Sequence, residues 1–328
     1  MRSYWMQQSQ DCAVLELRDV PTPQPAASQL LVRVRAASLN RGEFVAGHGL
    51  HGPAGSWKAI GGECAGEVIG QGAEVTGFAA GDRVMGRCAG AFAEYALLDQ
   101  AEAMHIPAAL SWEEAASLPL TFLVSFDMLV LQGRLKEGEW VLINGVSSGV
   151  GVASLQLAKA MGARVIGTSG SQAKLDLLQG LGLDAGIRTR APDFAEEVRR
   201  ITGGQGVGLA INAVGGSVFA ESMRTLAFEG RLATVGYVDG VLHADIDLEA
   251  LHARRLTVFG VSNKLRTKAQ KSAALPRFIA EVLPHFASGR IRPHIDEVVD
   301  FACLASAKAR MEAGAHAGKI VLRMPAVD

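Results

Sequence analysis

The chain has 328 residues, 49% of them hydrophobic, and a formal net charge of −1. That length suits two domains rather than one core, and the apolar content argues against wholesale disorder. The near-neutral balance, with no basic face carrying interleaved aromatics, offers no argument for a nucleic-acid partner.

In chain order, "MRSYWMQQSQDC" lacks a signal peptide's apolar middle, and no run reaches about 18 consecutive apolar residues. A soluble, cytoplasmic protein with no membrane partner is expected. The four cysteines, Cys12, Cys64, Cys88 and Cys303, show no CxxC and no zinc-ribbon spacing, the usage of a reducing compartment. "QLLVRVRAASL" alternates with period two. "GGECAGEVIGQG", "GDRVMGR" and "AFAEYALLD" follow, divided by turn residues, which predicts an antiparallel, barrel-like domain. Turn-rich "HIPAALSWEEAASLP" leads into about four helical turns over "LTFLVSFDMLVLQGRL".

From Glu139 the rhythm changes. "WVLING", "RVIGTS", "GLAINAVGG", "RLATVG" and "LTVFGVS" read as strands. Between them "VGVASLQLAKAMGA", "QAKLDLLQGLG" and "FAESMRTLAFEG" read as helices, so a doubly wound parallel sheet is expected. After Ser262 come a helix that Pro276 and Pro284 bend or break, a strand near "HIDEVVDF", a helix near "LASAKARMEAG" and a last strand "GKIVLRM". That tail has no βαβ rhythm and is expected to return to the first domain. The domains are then 1–118 with 266–328, and 119–265.

"NGVSSGVG", Asn144 to Gly151, follows a strand and opens a helix. Unpaired N–H groups at a helix N-terminus bind a pyrophosphate. Gly145 allows the tight exit, and Gly149 and Gly151 allow close approach and helix–strand packing. Ser148 stands where a middle glycine is usual, and its hydroxyl can donate to a phosphate oxygen. The plain alternative is that any βα turn favours glycine. At the end of the second strand a dinucleotide fold places the group that reads the adenosine ribose. Here Ser169, Gly170, Ser171 and Lys174 precede any carboxylate, a set suited to a phosphate dianion and hence to NADPH over NADH. The same residues also make an ordinary helix start.

"VLINGVSSGVGVASLQLAKAMGARVIGTSGSQAKLDLLQGLGLD", "GGECAGEVIGQGAEVTGFAAGDRV", "GRLATVG" and the closing "GKIVL" together resemble the medium-chain dehydrogenases/reductases over essentially the whole chain. The resemblance implies a GroES-like antiparallel β-barrel catalytic domain joined to a Rossmann-type sheet. Zinc members of that superfamily carry ligands at positions that fall here on Asn40, on Gly62 and within "PLTFLVSF", and a four-cysteine lobe after "DRVMG" of which only Cys88 is present. Zinc needs three or four N, S or O ligands, so no metal is expected. The chain is similar to the zinc-free, zeta-crystallin-like quinone oxidoreductases, with Asn40 and Glu43 at the Asn and acidic positions of that branch.

The resemblance places Asn40 near the nicotinamide–ribose end of the cofactor, or leaves it a turn residue. Glu43 orients a neighbour or is a solvated carboxylate, and Glu63 supports the same cleft or serves a turn. Cofactor contacts fall on Ser147, Ser148, Gly149 and Val150, on Ser169, Ser171 and Lys174, on Ala213 and Val214, and on the turn from Phe259 through Val261 to Asn263. Arg188 or Arg190 flanks the adenosine phosphate, Arg190 being the one chosen. Lys319 approaches the cofactor or, more simply, is a surface strand lysine. Departures from the family pattern are Val124-Ser125-Phe126 in place of Thr-Ala-Tyr, and the absence of pocket tyrosines, with Phe44, His48 and His51 offered instead.

Without a Lewis acid the acceptor must already be activated, as a quinone or an alkene conjugated to a carbonyl. The expected activity is hydride transfer from NADPH to such an acceptor, with Asn40 and His51 as catalytic residues and His51 the proton donor. Rival readings are a zinc-free enoyl or alkenal reductase and a non-catalytic NADPH-binding redox sensor. A polyketide synthase domain is disfavoured because the chain ends with the fold. The strand in "RRLTVFGVSN" is expected to pair with a twofold mate in a homodimer.

Overall fold

The computed structural model describes residues 1–8, 13–44 and 56–325. The chain divides into two compact units, Met1–Leu123 with Lys264–Asp328, and Val124–Asn263.

The first unit opens with β1 (Arg2–Gln8), which pairs antiparallel with β2 (Ala13–Asp19) and with β4 (Trp57–Ala59). Between them runs β3 (Gln29–Ser38), where alternate residues are buried as the period-two pattern predicts. β3 pairs along one edge with β5 (Glu63–Gln71), which continues through β6 (Arg83–Arg87) to β8 (Ala103–His105). Its other edge is shared: Gln29–Arg33 takes β7 (Tyr95–Asp99), and Ala36–Ser38 takes β16 (Lys319–Arg323). β15 (Ile295–Asp300) adds to β16 in parallel. The tail therefore does return to the first sheet. One core gathers Val34, Leu39, Phe44, Phe92, Phe301, Leu304 and Ile320, and a second gathers Leu30, Val68, Val84 and Leu98.

α1 (Trp112–Ala116) lies within the stretch read only as turns, capped by Ser111. α2 (Pro119–Phe126) follows, then a wider π-helical turn over Asp127–Leu131 that ends before Gly133. A Cβ at Gly133 would sit 2.0 Å from the Met128 carbonyl oxygen, so only glycine closes that turn.

The second unit is a six-stranded sheet, every pairing parallel, in the order β11-β10-β9-β12-β13-β14. β9 (Trp140–Asn144) leads into α3 (Gly149–Ala160), β10 (Arg164–Ser169) into α4 (Gln172–Gln179), and β11 (Ala185–Arg188) into α5 (Ala195–Ile201). β12 (Val207–Asn212) leads to α6 (Phe219–Thr225), β13 (Leu226–Thr234) to α7 (Leu248–Ala253), and β14 (Thr257–Gly260) closes the edge.

Three expectations change. "LAFEG" is not helix: α6 ends at Thr225 and Leu226 already pairs with Val207, because its side chain goes into the core (1% exposed). β11 and α5 had no reading, since few of their residues are buried and Glu196–Arg199 and Glu197–Arg200 pairs cover the helix. The proline-bearing helix breaks into α8 (Lys268–Ser272), α9 (Leu275–Glu281) and α10 (Leu283–Ala287), each proline starting a new helix where its missing N–H is harmless. α11 (Leu304–Glu312) completes the set.

Candidate catalytic and cofactor-binding sites

In the first unit, β3 delivers Ser38 and then Asn40 at the mouth of a 3-10 turn, Arg41–Glu43. β5 begins at Glu63 and β16 begins at Lys319, and these three chain segments converge on one polar cluster. Glu63 is fully buried. Its Oε1 accepts from Ser38 Oγ (2.5 Å), Asn40 Nδ2 (2.9 Å) and Lys319 Nζ (3.0 Å), and its Oε2 from the Leu120 N–H (2.7 Å) in the first turn of α2. A carboxylate there satisfies an otherwise orphaned helix N–H and meets the positive end of the helix dipole.

Lys319 is 5% exposed and spends its three protons on Glu63, on the Leu39 carbonyl (2.8 Å) and on Asn40 Oδ1 (2.7 Å). The reading as a surface lysine was wrong: from Lys319 to Leu322 every residue of β16 is buried, so both faces of the strand are covered. Glu43, 3% exposed, is no solvated carboxylate either. It accepts from the N–H of Asn40 (3.2 Å), from Asn40 Nδ2 (3.1 Å) and from the Gly62 N–H (2.8 Å). Burial lifts its pKa from the ordinary 4.5 to about 7, against the opposing pull of the Asn40 side chain and the Lys319 charge.

"GGE" is explained by close approach. A Cβ at Gly62 would fall 2.7 Å from Glu43 Oε1, and one at Gly61, whose φ is +108°, would fall 2.4 Å from the Phe92 nitrogen. Any side chain at 62 displaces the Glu43 carboxylate. Among the described residues no group of three or more His, Cys, Asp or Glu is placed to hold a metal ion. Phe44, offered for the acceptor pocket, instead packs into the core with its ring centroid 6.3 Å from that of Phe92. His48 and His51 lie outside the described residues.

In the second unit, the expected cofactor residues follow the carboxyl ends of the strands, where open parallel sheets bind ligands. Gly145 leaves β9 at φ +75°, a conformation that favours glycine, and its α-carbon faces Ala213 and Val214 beyond β12. Ser148 is the N-cap of α3: its Oγ accepts from the Gly151 N–H at 3.0 Å, leaving its own proton to donate. The N–H groups of Ser147, Gly149 and Val150 have no acceptor among the described residues. A Cβ at Gly151 would sit 2.5 Å from the Gly145 carbonyl oxygen and 2.6 Å from that of Val146. Only glycine lets α3 start this close to the loop.

At the next strand end, Ser169 is buried, Ser171 caps α4 by accepting from the Lys174 N–H, and Lys174 lies in the first helical turn. Arg190 lies across Gly170, where a Cβ would meet its Nε at 2.3 Å, whereas Arg188 sits exposed on the edge strand β11. Asn212 Oδ1 accepts from the N–H groups of Val214 and Gly215 (3.0 Å each), which shapes the turn after β12. Phe259 is the last residue but one of β14, and the Val261 N–H returns to the Thr234 carbonyl, with Asn263 two residues on. Ser125 does not replace the missing hydroxyl of α2: it is buried against Ser154, with 2.9 Å between their oxygens. Sequence reasoning missed Asn144, fully buried and bonded to Ser222 and Thr168, which fixes the strand end from which the loop departs. A buried asparagine ending an apolar strand was the available signal.

Residues 149–278 match the family model described as zinc-binding dehydrogenase, and residues 26–108 match that of the alcohol dehydrogenase GroES-like domain. The chain is 33% identical over 312 residues to a phenolphthiocerol/phthiocerol polyketide synthase of Mycobacterium tuberculosis, covering 95% of this chain but 14% of that protein. Polyketide synthases are thus among its relatives, and chain length gives no ground for setting that class aside. Among solved structures it is similar to an NAD-dependent alcohol dehydrogenase (31% identity, TM-score 0.84, 99% of this chain and 100% of that one). A mycobacterial protein complexed with NADPH follows the same fold (27%, TM-score 0.88, 98% and 99%). So do CurK enoyl reductase (25%, 0.83, 98% and 99%) and a quinone oxidoreductase of Pseudomonas syringae (26%, 0.84, 98% and 100%). No helix among the described residues is long and apolar enough to cross a membrane.

Proposed function

This chain belongs to the medium-chain dehydrogenase/reductase superfamily, and on that premise we propose that it is an NADPH-dependent reductase of alkenes conjugated to a carbonyl, working without a metal ion. The observation that carries the reading is the Asn40–Glu43–Glu63–Lys319 cluster. At the first expected ligand position stands an amide already bonded to two carboxylates and an ammonium group. At the second, the Glu43 carboxylate fills the room a side chain would need. A donor set of that kind offers zinc no tetrahedral site. A simple ketone or alcohol would go unpolarised, so the acceptor must be electrophilic by its own conjugation.

The second unit fits a dinucleotide. Ser147, Gly149 and Val150 would hold the pyrophosphate through main-chain N–H groups and Ser148 through its hydroxyl proton, while Ala213, Val214, Phe259, Val261 and Asn263 would line the remainder. Ser169, Ser171, Lys174 and Arg190 would take the 2′-phosphate. When bound, the reduced nicotinamide supplies a hydride. Asn40 is proposed to face the reacting groups, with its orientation fixed by the charges behind it. A proton for the product carbanion comes from water or from His51.

Similarity to a polyketide synthase and to an enoyl reductase favours an enoyl thioester or enone as acceptor. Similarity to a quinone oxidoreductase keeps a quinone as the second reading. NADPH consumption should be measured with an enoyl thioester, an enone and a quinone panel, together with metal analysis of the same sample. Turnover of the thioester or enone ahead of quinones supports the proposal. Quinone turnover alone supports the second reading, and NADPH binding without turnover by any acceptor leaves a redox sensor. Stoichiometric zinc would defeat the metal-free mechanism. For cofactor choice, Lys174→Ala should raise the Michaelis constant for NADPH by roughly tenfold, the scale of one lost charge-assisted contact, with NADH little changed. Equal effects on both cofactors would remove Lys174 from phosphate recognition.

A further inference from the structure

We propose that Cys64 and Cys88 form a reversible oxidation site that closes to an intramolecular disulfide when the protein meets a hydroperoxide. Cys64 lies in β5 opposite Gly86 of β6, and Cys88 stands two residues beyond Gly86. Alternation therefore directs both side chains to the same face, where a diagonal cross-strand pair can meet. Their sulfurs are 3.5 Å apart. Closing to the bond length of a disulfide takes a movement of about 1.5 Å, shared between side-chain rotation and the adjoining backbone. Cys64 is fully buried and Cys88 half-buried, so an oxidant meets Cys88 first.

The chemistry balances. The Cys88 sulfur attacks the terminal oxygen of the hydroperoxide, the O–O bond breaks, and an alcohol (water, from hydrogen peroxide) leaves with Cys88 as the sulfenic acid. The Cys64 thiol then attacks that sulfur, forming the S–S bond and releasing water. Contact with the Cys64 thiol, then burial, then the negative charges of Glu63 and Glu43 hold the Cys88 thiol well above its ordinary range. Those carboxylates oppose a thiolate but not a disulfide, which is neutral. A peroxide reacts with the thiolate, so the pair is oxidised slowly and stays reduced until oxidant is abundant.

The pair is joined to the proposed catalytic cluster through one peptide unit. The Cys88 N–H donates to the Gly62 carbonyl at 3.1 Å, and the Gly62 N–H donates to Glu43 at 2.8 Å. Drawing the sulfurs together pulls on the turn that seats Glu43 and starts β5 at Glu63. Oxidation is expected to slow the reductase, a consequence that rests on the function proposed above. The bond itself does not.

The full-length protein is treated with hydrogen peroxide, blocked with a maleimide under denaturing conditions and mapped without reduction. Expected are a single Cys64–Cys88 linked peptide pair, a chain that takes up two fewer maleimides than the untreated protein, and return of both thiols with dithiothreitol. A link through Cys12 or Cys303, or over-oxidised Cys88 with no link, overturns the proposal. Acceptor-dependent NADPH oxidation should fall by roughly tenfold, as for ångström-scale misplacement of reacting groups, and recover on reduction. A complete disulfide with an unchanged rate overturns the coupling. Cys88→Ser should keep the unoxidised rate and lose the link. Cys88→Ala serves if the serine variant fails to fold. Because mapping needs no acceptor, its result stands whether or not the reductase activity is found.

Discussion

At Asn40 the amide protons point at Glu43 and Glu63, the main-chain N–H donates to Glu43, and Oδ1 accepts from Lys319. Both amide protons are thus engaged among the described residues, and the role proposed for Asn40 is to position. Glu43 is the group that titrates. Its folded pKa of about 7 stands above the ordinary 4.5, so between those values the folded chain holds a proton that the unfolded chain has released. Stability from this group is therefore present below about 4.5, lost as pH rises to about 7, and level above that. Glu43→Gln cannot titrate. The melting temperature of the parent relative to this variant should fall between about pH 5 and pH 7 and then hold constant. Parallel melting curves over that range would show that the donors around Glu43 keep it ionised throughout.

Among the elements, α3 and α2 show how a helix start is made into a site or closed off. α2 has one N–H of its first turn, that of Leu120, answered by Glu63 from within the protein. In α3 the Gly151 N–H is answered by the Ser148 cap, while those of Gly149 and Val150 have no acceptor among the described residues. The close start of α3 depends on Gly151, where a Cβ would be 2.5 Å and 2.6 Å from two carbonyl oxygens of the loop. Gly151→Ala is expected to destabilise the protein by about 1–3 kcal/mol, the scale of overpacking, and to weaken NADPH binding by roughly tenfold as the loop is pushed aside. Calorimetric titration checks it: affinity within about twofold of the parent would mean that the loop adapts without loss. Glu139 is a contrasting case. Burial alone would raise it, but the Arg231 guanidinium, itself tied to the Gly133 carbonyl, holds its carboxyl below the ordinary range and fixes the entry to β9.

For the whole molecule, β14 ends the six-stranded sheet with one edge unpaired among the described residues, and Val258 on it is 38% exposed. An open, apolar edge is a pairing template. We propose a homodimer in which β14 meets its twofold mate. Val258→Lys, a charge placed on that edge, should yield a monomer by light scattering at a concentration where the parent is a dimer. A variant that stays dimeric would put the interface elsewhere.

The βαβ alternation of the second unit and the period-two strands of the first were legible because both depend on which side chains avoid water, and that pattern is written in the residues. The same holds for the helix start at Ser148, the breaks at Pro276 and Pro284, and the return of "GKIVL" to the first sheet. β11 and α5 were not legible, since short, mostly exposed elements carry little hydrophobic periodicity. Nor were the burial of Lys319 and Phe44 or the meeting of Cys64 with Cys88. Lys319 lies 256 positions from the Glu63 it neutralises, and no local pattern records so distant a partner. The identity of the elements follows from local sequence. Which charges, donors and thiols face one another was decided only when the strands paired, because desolvation and hydrogen bonding act on neighbours in space.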